Sequence, residues 1–246
     1  MGTLFTYIPM GFGGFMGANM PIYVIFIVFA LLSWVVQKRL QSKFKKYSQI
    51  ALPGGLTGKD IAERMLRENG ITDVKVQHTG GQLTDHYNPE TKIVNLSDQV
   101  YDGNSIAAAA VAAHECGHAV QHARAYAFLT MRSKLVPTVS FASKWMQWIL
   151  LAGILMVRSF PQLLLIGIVL FSLTTIFSFI TLPVEINASK RAVAWLSNAG
   201  ITTNTTYPMA TDALKWAAYT YVVAALSSLA TLVYYILIFL GGSRRN

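Results

Sequence analysis

The chain has 246 residues, 53% of them hydrophobic and only 13% charged, with a mean hydropathy of +0.43, a balance that excludes an ordinary soluble domain. A net charge of +9 comes from 20 Lys and Arg against 11 Asp and Glu, but the basic residues do not alternate with aromatics on a binding surface; no nucleic acid is expected, and membrane topology accounts for the charge. A single cysteine excludes an intramolecular disulfide and fits a reducing compartment. The first apolar stretch, Pro21 to Val36, covers about 24 Å as a helix, so it must recruit part of the glycine-rich stretch before it to cross a bilayer. Its positive residues (Lys38, Arg39, Lys43, Lys45, Lys46) follow the apolar core, which marks an anchor and not a signal peptide. Lys38 to Ser48 reads as a basic helical extension, either touching anionic headgroups or forming a solvated face.

Leu52-Pro53-Gly54-Gly55 breaks that helix. Thr57 is placed to cap a helix from about Gly58 to Asn69, with Ala62, Met65 and Leu66 on its apolar face and Gly70 at its end. Val74 to His78 and Lys92 to Leu96 alternate as short strands around a loop at Asp85-His86-Tyr87-Asn88-Pro89.

His114-Glu115-Cys116-Gly117-His118 follows, inside an alanine-rich run that favours helix. Four-residue spacing places both imidazoles on one helix face, where they can share a tetrahedral Zn²⁺. Glu115 lies next to that site and can take a proton from zinc-bound water, the arrangement for metal-assisted hydrolysis of a peptide bond. Cys116 sits about 200° around the helix from His114 and belongs to the core. Gly117 lets another backbone approach the metal face.

The second apolar stretch, Trp145 to Val157 with a start near Pro137, and the third, Leu163 to Leu182, are separated only by Arg158 to Gln162 and read as a tight hairpin. The fourth is Ala218 to Leu240. Trp145, Trp148, Tyr219 and Tyr221 suit interfacial positions. Most of the lysine and arginine lies between Lys38 and Lys144, which places that region in the cytoplasm with the N-terminus outside, despite Arg244 and Arg245 at the far end. The alternative is that one stretch is a buried core helix, the short second one foremost. A catalytic zinc needs a third protein ligand. His122 continues the i, i+4 series but lies about 6 Å further along the axis, with no glycine to turn it back. Glu185 is the better candidate: it follows the third span, Pro183 suits a helix first turn, and Ala188 would let this helix pack against the histidine-bearing one.

The runs Ala112 to Gln121 and Glu185 to Ser189, with Leu56-Thr57-Gly58, Leu83 to Tyr87 and Ile93 to Ser97, make the chain resemble the YugP-type neutral zinc metallopeptidases of bacterial membranes, over nearly its whole length. It is similar at greater distance to the HtpX and CAAX-prenyl-protease group, where Ala-Asp follows the glutamate ligand. Here Ala188-Ser189 stands instead, so the orienting role of that aspartate falls to Ser189 or Asn187. The resemblance implies one zinc per chain held by His114, His118 and Glu185, with Glu115 as general base. Arg191, Tyr219, Tyr221 and His86 are the candidates for stabilising the oxyanion.

The expected fold is mainly α: a polytopic membrane protein with about four transmembrane helices and a small α+β zincin-like cytoplasmic domain. The expected units are 1–50 (first span and basic extension), 51–136 (zincin-like domain with the HExxH helix), 137–182 (hairpin), 183–217 (cytoplasmic segment with the third ligand) and 218–246 (fourth span). In a zincin-like arrangement Ile93, Val94, Asn95 and Leu96 would bind the substrate backbone by strand addition, or simply close a small core. The expected activity is that of an endopeptidase in the bacterial cytoplasmic membrane, acting at its cytoplasmic face on membrane-associated proteins. The rival readings are a catalytically inactive zinc-stabilised scaffold or chaperone and a metal transporter. The transporter is disfavoured because the third and fourth spans carry no ionisable residue inside.

Overall fold

Long apolar runs with few breakers produce long helices, and three of them dominate the molecule. The structure, a computed structural model, describes residues 11–81 and 83–243, with side chains from residue 23 to 241. Its elements run α1 (Gly11–Tyr47), α2 (Gly58–Glu68), β1 (Lys75–Thr79), β2 (His86–Asn88), β3 (Ile93–Ser97), α3 (Asp98–Tyr101), α4 (Ile106–Ala123), α5 (Ala127–Leu155), α6 (Pro161–Asn198) and α7 (Tyr207–Ser243). Arg244 and Arg245 lie outside the described residues.

Helix α1 is continuous from the glycine-rich stretch into the basic extension, as a short apolar core requires. Lys43 pairs with Asp212 of α7 at 2.7 Å, and Tyr47 donates to the same carboxylate at 2.6 Å. Outward-facing Ile27, Trp34, Val169 and Leu237 are exposed, a pattern that suits lipid.

Among the described residues, three helices are long and apolar enough to cross a membrane: Tyr23–Tyr47, Pro161–Asn198 and Tyr207–Gly241. Helix α5 is not one of them. Lys144 and Gln147 interrupt the stretch read as a second span, and the apolar part that remains is short. It nevertheless lies along α6. A Cβ on Gly153 would stand 2.6 Å from the Leu164 Cα, so the two helices meet backbone to backbone there. Thr175 and Ser228 share a hydrogen bond of 2.7 Å between α6 and α7.

Helix α6 departs from expectation in one respect. Pro183 does not start a new helix but lies inside an unbroken one of 38 residues. Beyond Pro183, Val184, Ala188, Ala192 and Leu196 keep helical spacing and are fully buried, and that packing outweighs the hydrogen bond a proline removes. The helix therefore runs through the expected boundary between the hairpin and the ligand-bearing segment.

The remaining elements enclose α4. Thr57 and Asp60 cap α2 reciprocally: the Thr57 N–H donates to the Asp60 carboxylate at 2.8 Å and the Asp60 N–H to the Thr57 hydroxyl at 3.2 Å. Ile61, Ala62, Met65 and Leu66 pack on the alanines of α4, whose small side chains let α2, the sheet, α6 and α7 all approach it.

The sheet order is β1-β3-β2, with β1 parallel and β2 antiparallel to β3. This overturns the expectation that Ile93, Val94, Asn95 and Leu96 offer a free edge. They form the middle strand, with Val94 and Leu96 fully buried, and both sides are already paired. The loop expected at 85–89 contains an edge strand, β2, which like β1 is paired on one side only among the described residues, and of the two edges it is the one that bonds to α4.

Candidate metal centre

The histidines of α4 and the carboxylate of α6 meet because both helices carry small residues where they cross. A Cβ on Gly117 would stand 2.7 Å from the Ala188 carbonyl oxygen, closer than any side chain tolerates. This contact brings Glu185 over the imidazoles, and the ligand atoms of His114, His118 and Glu185 all lie within 4.8 Å of one another. Oε2 of Glu185 is 3.3 Å from Nε2 of His114 and 3.6 Å from Nε2 of His118. In a tetrahedral zinc site with bonds of 2.0–2.1 Å, neighbouring ligand atoms are about 3.3 Å apart.

Hydrogen bonds behind the imidazoles turn both Nε2 atoms inward. Gln121, fully buried, gives its amide to the Val184 carbonyl at 2.9 Å and to Asn187 Oδ1 at 3.0 Å. Its Oε1 is thereby left as the acceptor facing Nδ1 of His118 at 3.1 Å, so Nδ1 carries the proton and Nε2 the lone pair. Ser189 Oγ holds Nδ1 of His114 at 3.1 Å. Glu185 Oε2 is buried with no hydrogen bond among the described residues. A carboxylate oxygen and imidazole nitrogens converging on one point, without a donor between them, are what a cation would satisfy, and the nitrogen–oxygen donor set suits zinc.

Glu115 is buried beside this point, and its Oε2 accepts the Tyr87 backbone N–H at 3.1 Å. Burial pushes its carboxyl up to about 7, against the pull of His114, while Glu185 and Asp85 push it further in the same direction. The Tyr87 bond leaves the outer edge of β2 and points at the site, so sheet and centre are one unit.

A cavity of about 730 Å³ opens over the centre, between the β2 segment and the first turns of α5. Of the four residues considered for the oxyanion, Tyr221 and His86 line it. Arg191 instead donates to Asn187 at 2.7 Å, and Tyr219 packs edge-on against Trp216. His86 Nδ1 faces the Thr84 carbonyl at 2.7 Å and its Nε2 lies 3.2 Å from Asn95, while Asp85 accepts from the Ser97 N–H at 2.7 Å. His122 is engaged by the Tyr87 hydroxyl at 2.8 Å. Cys116 faces the other way, towards the Ala62 carbonyl, and burial pushes its thiol pKa up. Two residues of the centre escape sequence reasoning. Gln121 is a polar residue three positions after His118 in a buried run, which is a usable signal; Arg132 reaches the site from α5 without any local signal.

A profile of the family described as "Putative neutral zinc metallopeptidase" matches residues 22–240. The chain is 42% identical, over 226 residues, to the "Putative membrane protease YugP" of Bacillus subtilis (strain 168), covering 92% of this chain and 100% of that protein. No solved structure matches the chain.

Replacing Gly117 by Ala must push α4 from α6. The expected outcome is a stability loss of about 1–3 kcal/mol and reduced zinc content, read by thermal unfolding in detergent and by metal analysis. In the metal-free protein, the raised Glu115 pKa contributes stability that is full below about pH 4.5 and is lost as pH rises through about 7, on the order of 3 kcal/mol. Chelator-stripped wild type should therefore lose melting temperature between pH 5 and 8 more steeply than Glu115→Gln; equal slopes would contradict this.

Proposed function

Since the chain belongs to the neutral zinc metallopeptidase family, we propose that it is an integral-membrane endopeptidase that hydrolyses peptide bonds of membrane-associated proteins at the cytoplasmic face. The observation that carries this reading is the convergence of His114, His118 and Glu185 beside the buried Glu115. Those three residues would hold one zinc. When bound, the ion supplies Lewis acidity to polarise the scissile carbonyl and ease deprotonation of water. Glu115 takes the proton from the attacking water on its carboxylate and delivers it to the leaving amine. The Tyr87 N–H holds that carboxylate in place. Tyr221, partly exposed in the cavity, offers its hydroxyl to the developing oxyanion.

The outer edge of β2, on which Glu115 already takes the Tyr87 N–H, is better placed for the substrate backbone than β3, which is paired on both sides. A small sheet whose edge strand bonds to the HExxH helix supports the zincin-like reading. Depth along the helices supports action at the membrane surface. Glu185 stands about 36 Å along α6 from Pro161 and Arg132 about 35 Å along α5 from Leu155, each at 1.5 Å per residue. With a hydrocarbon core of about 30 Å, both reach the same headgroup-level plane. On this reading α5 accompanies α6 as a fourth, partly shielded span, and the basic α1 extension and cleft face the cytoplasm of a bacterial cell.

Glu115→Gln should keep zinc and lower cleavage of an unfolded reporter in proteoliposomes by roughly 10²–10⁴-fold, while Glu185→Ala should lose the metal. Cleavage undiminished in the glutamine variant would refute the mechanism and leave a zinc-stabilised scaffold as the better account. Tyr221→Phe should lower kcat by roughly 10²–10³-fold with little change in KM.

A further inference from the structure

Arg132 comes from α5, a helix that contributes no ligand, yet its Nη1 lies 3.6 Å from Oε1 of Glu185. The carboxylate side chain is 3% exposed and the guanidinium side chain 32%. Nε of Arg132 is buried and, among the described residues, makes no hydrogen bond, so the inner part of the guanidinium lies at depth next to a buried acid while the rest reaches the cavity. The two oxygens of Glu185 thus have separate surroundings. Oε1 faces the arginine, and Oε2 faces the imidazoles.

We propose that Arg132 is a positioning residue of the metal centre: by pairing with Oε1 it turns a single carboxylate oxygen to the ion and keeps Glu185 from binding through both. This rests on the zinc metallopeptidase reading. A catalytic zinc keeps one coordination position open, and a carboxylate that swung round to offer both oxygens would crowd it. The arginine also ties α5, which forms the cavity wall opposite β2, to the ligand on α6. It acts on the reaction only through Glu185.

The test measures zinc affinity by chelator competition, and the visible spectrum of the Co²⁺-loaded protein, in wild type, Arg132→Met and Arg132→Lys. The methionine variant should bind zinc about 10–100-fold more weakly. Its Co²⁺ absorption should fall, because four-coordinate Co²⁺ absorbs more strongly than five- or six-coordinate Co²⁺. The lysine variant, which keeps the charge, should recover most of both. If the methionine variant does not fold, Arg132→Gln takes its place with the same expectations. Unchanged affinity and spectrum on loss of the charge would overturn the proposal, as would a lysine variant no better than the uncharged one. A wild type that takes up no zinc is a different result: it would bring down the peptidase reading itself.

Discussion

The contact between Gly117 and Ala188 is the constraint on which the rest of the molecule turns. Two histidines on one helix are half of a site, and the other half is 67 positions further along, at Glu185. Only a backbone-to-backbone crossing of α4 and α6 brings the carboxylate to 3.3 Å from the first imidazole. The small residues of α4 serve the same end. A helix of alanines can be enclosed by α2, the sheet, α6 and α7 at once, and an enclosed helix holds its metal face still.

Around this crossing the protein concentrates polar groups that would be costly if left alone. Gln121 is fully buried and binds three groups from two helices, so the imidazole of His118, the Val184 carbonyl and Asn187 form one hydrogen-bonded unit. Ser189 does the corresponding work for His114. Glu115 is secured by the backbone of β2 and not by another side chain, which makes its position as rigid as the sheet.

Much of this could be read from the sequence, and the failures have physical causes. The i, i+4 histidines, the Thr57 cap and the alanine-rich helix are local patterns, and local patterns survive folding. Glu185 was legible because an acid at the end of an apolar run needs a reason. Strand β2 was not, because three residues before a proline carry no periodicity, and only pairing with β3 makes them a strand. Pro183 pointed to a helix start, but tertiary packing of Val184, Ala188 and Ala192 carried the helix through it. The second span was legible only in outline: Lys144 and Gln147 thin its apolar content, so α5 is not among the three helices apolar enough to cross a membrane on composition alone. Arg132 is a contact between distant segments, invisible to any window along the chain.

The unbroken course of α6 has a consequence for what can be cut. Under the proposed topology one rigid rod is gripped by lipid at one end and carries an essential carboxylate at the other, so helical rise fixes the height of the reactive centre above the bilayer midplane. The molecule is a ruler. Chain segments emerging from the membrane at headgroup height are within its reach. A bond carried far out on a folded cytoplasmic domain is not, whatever its sequence.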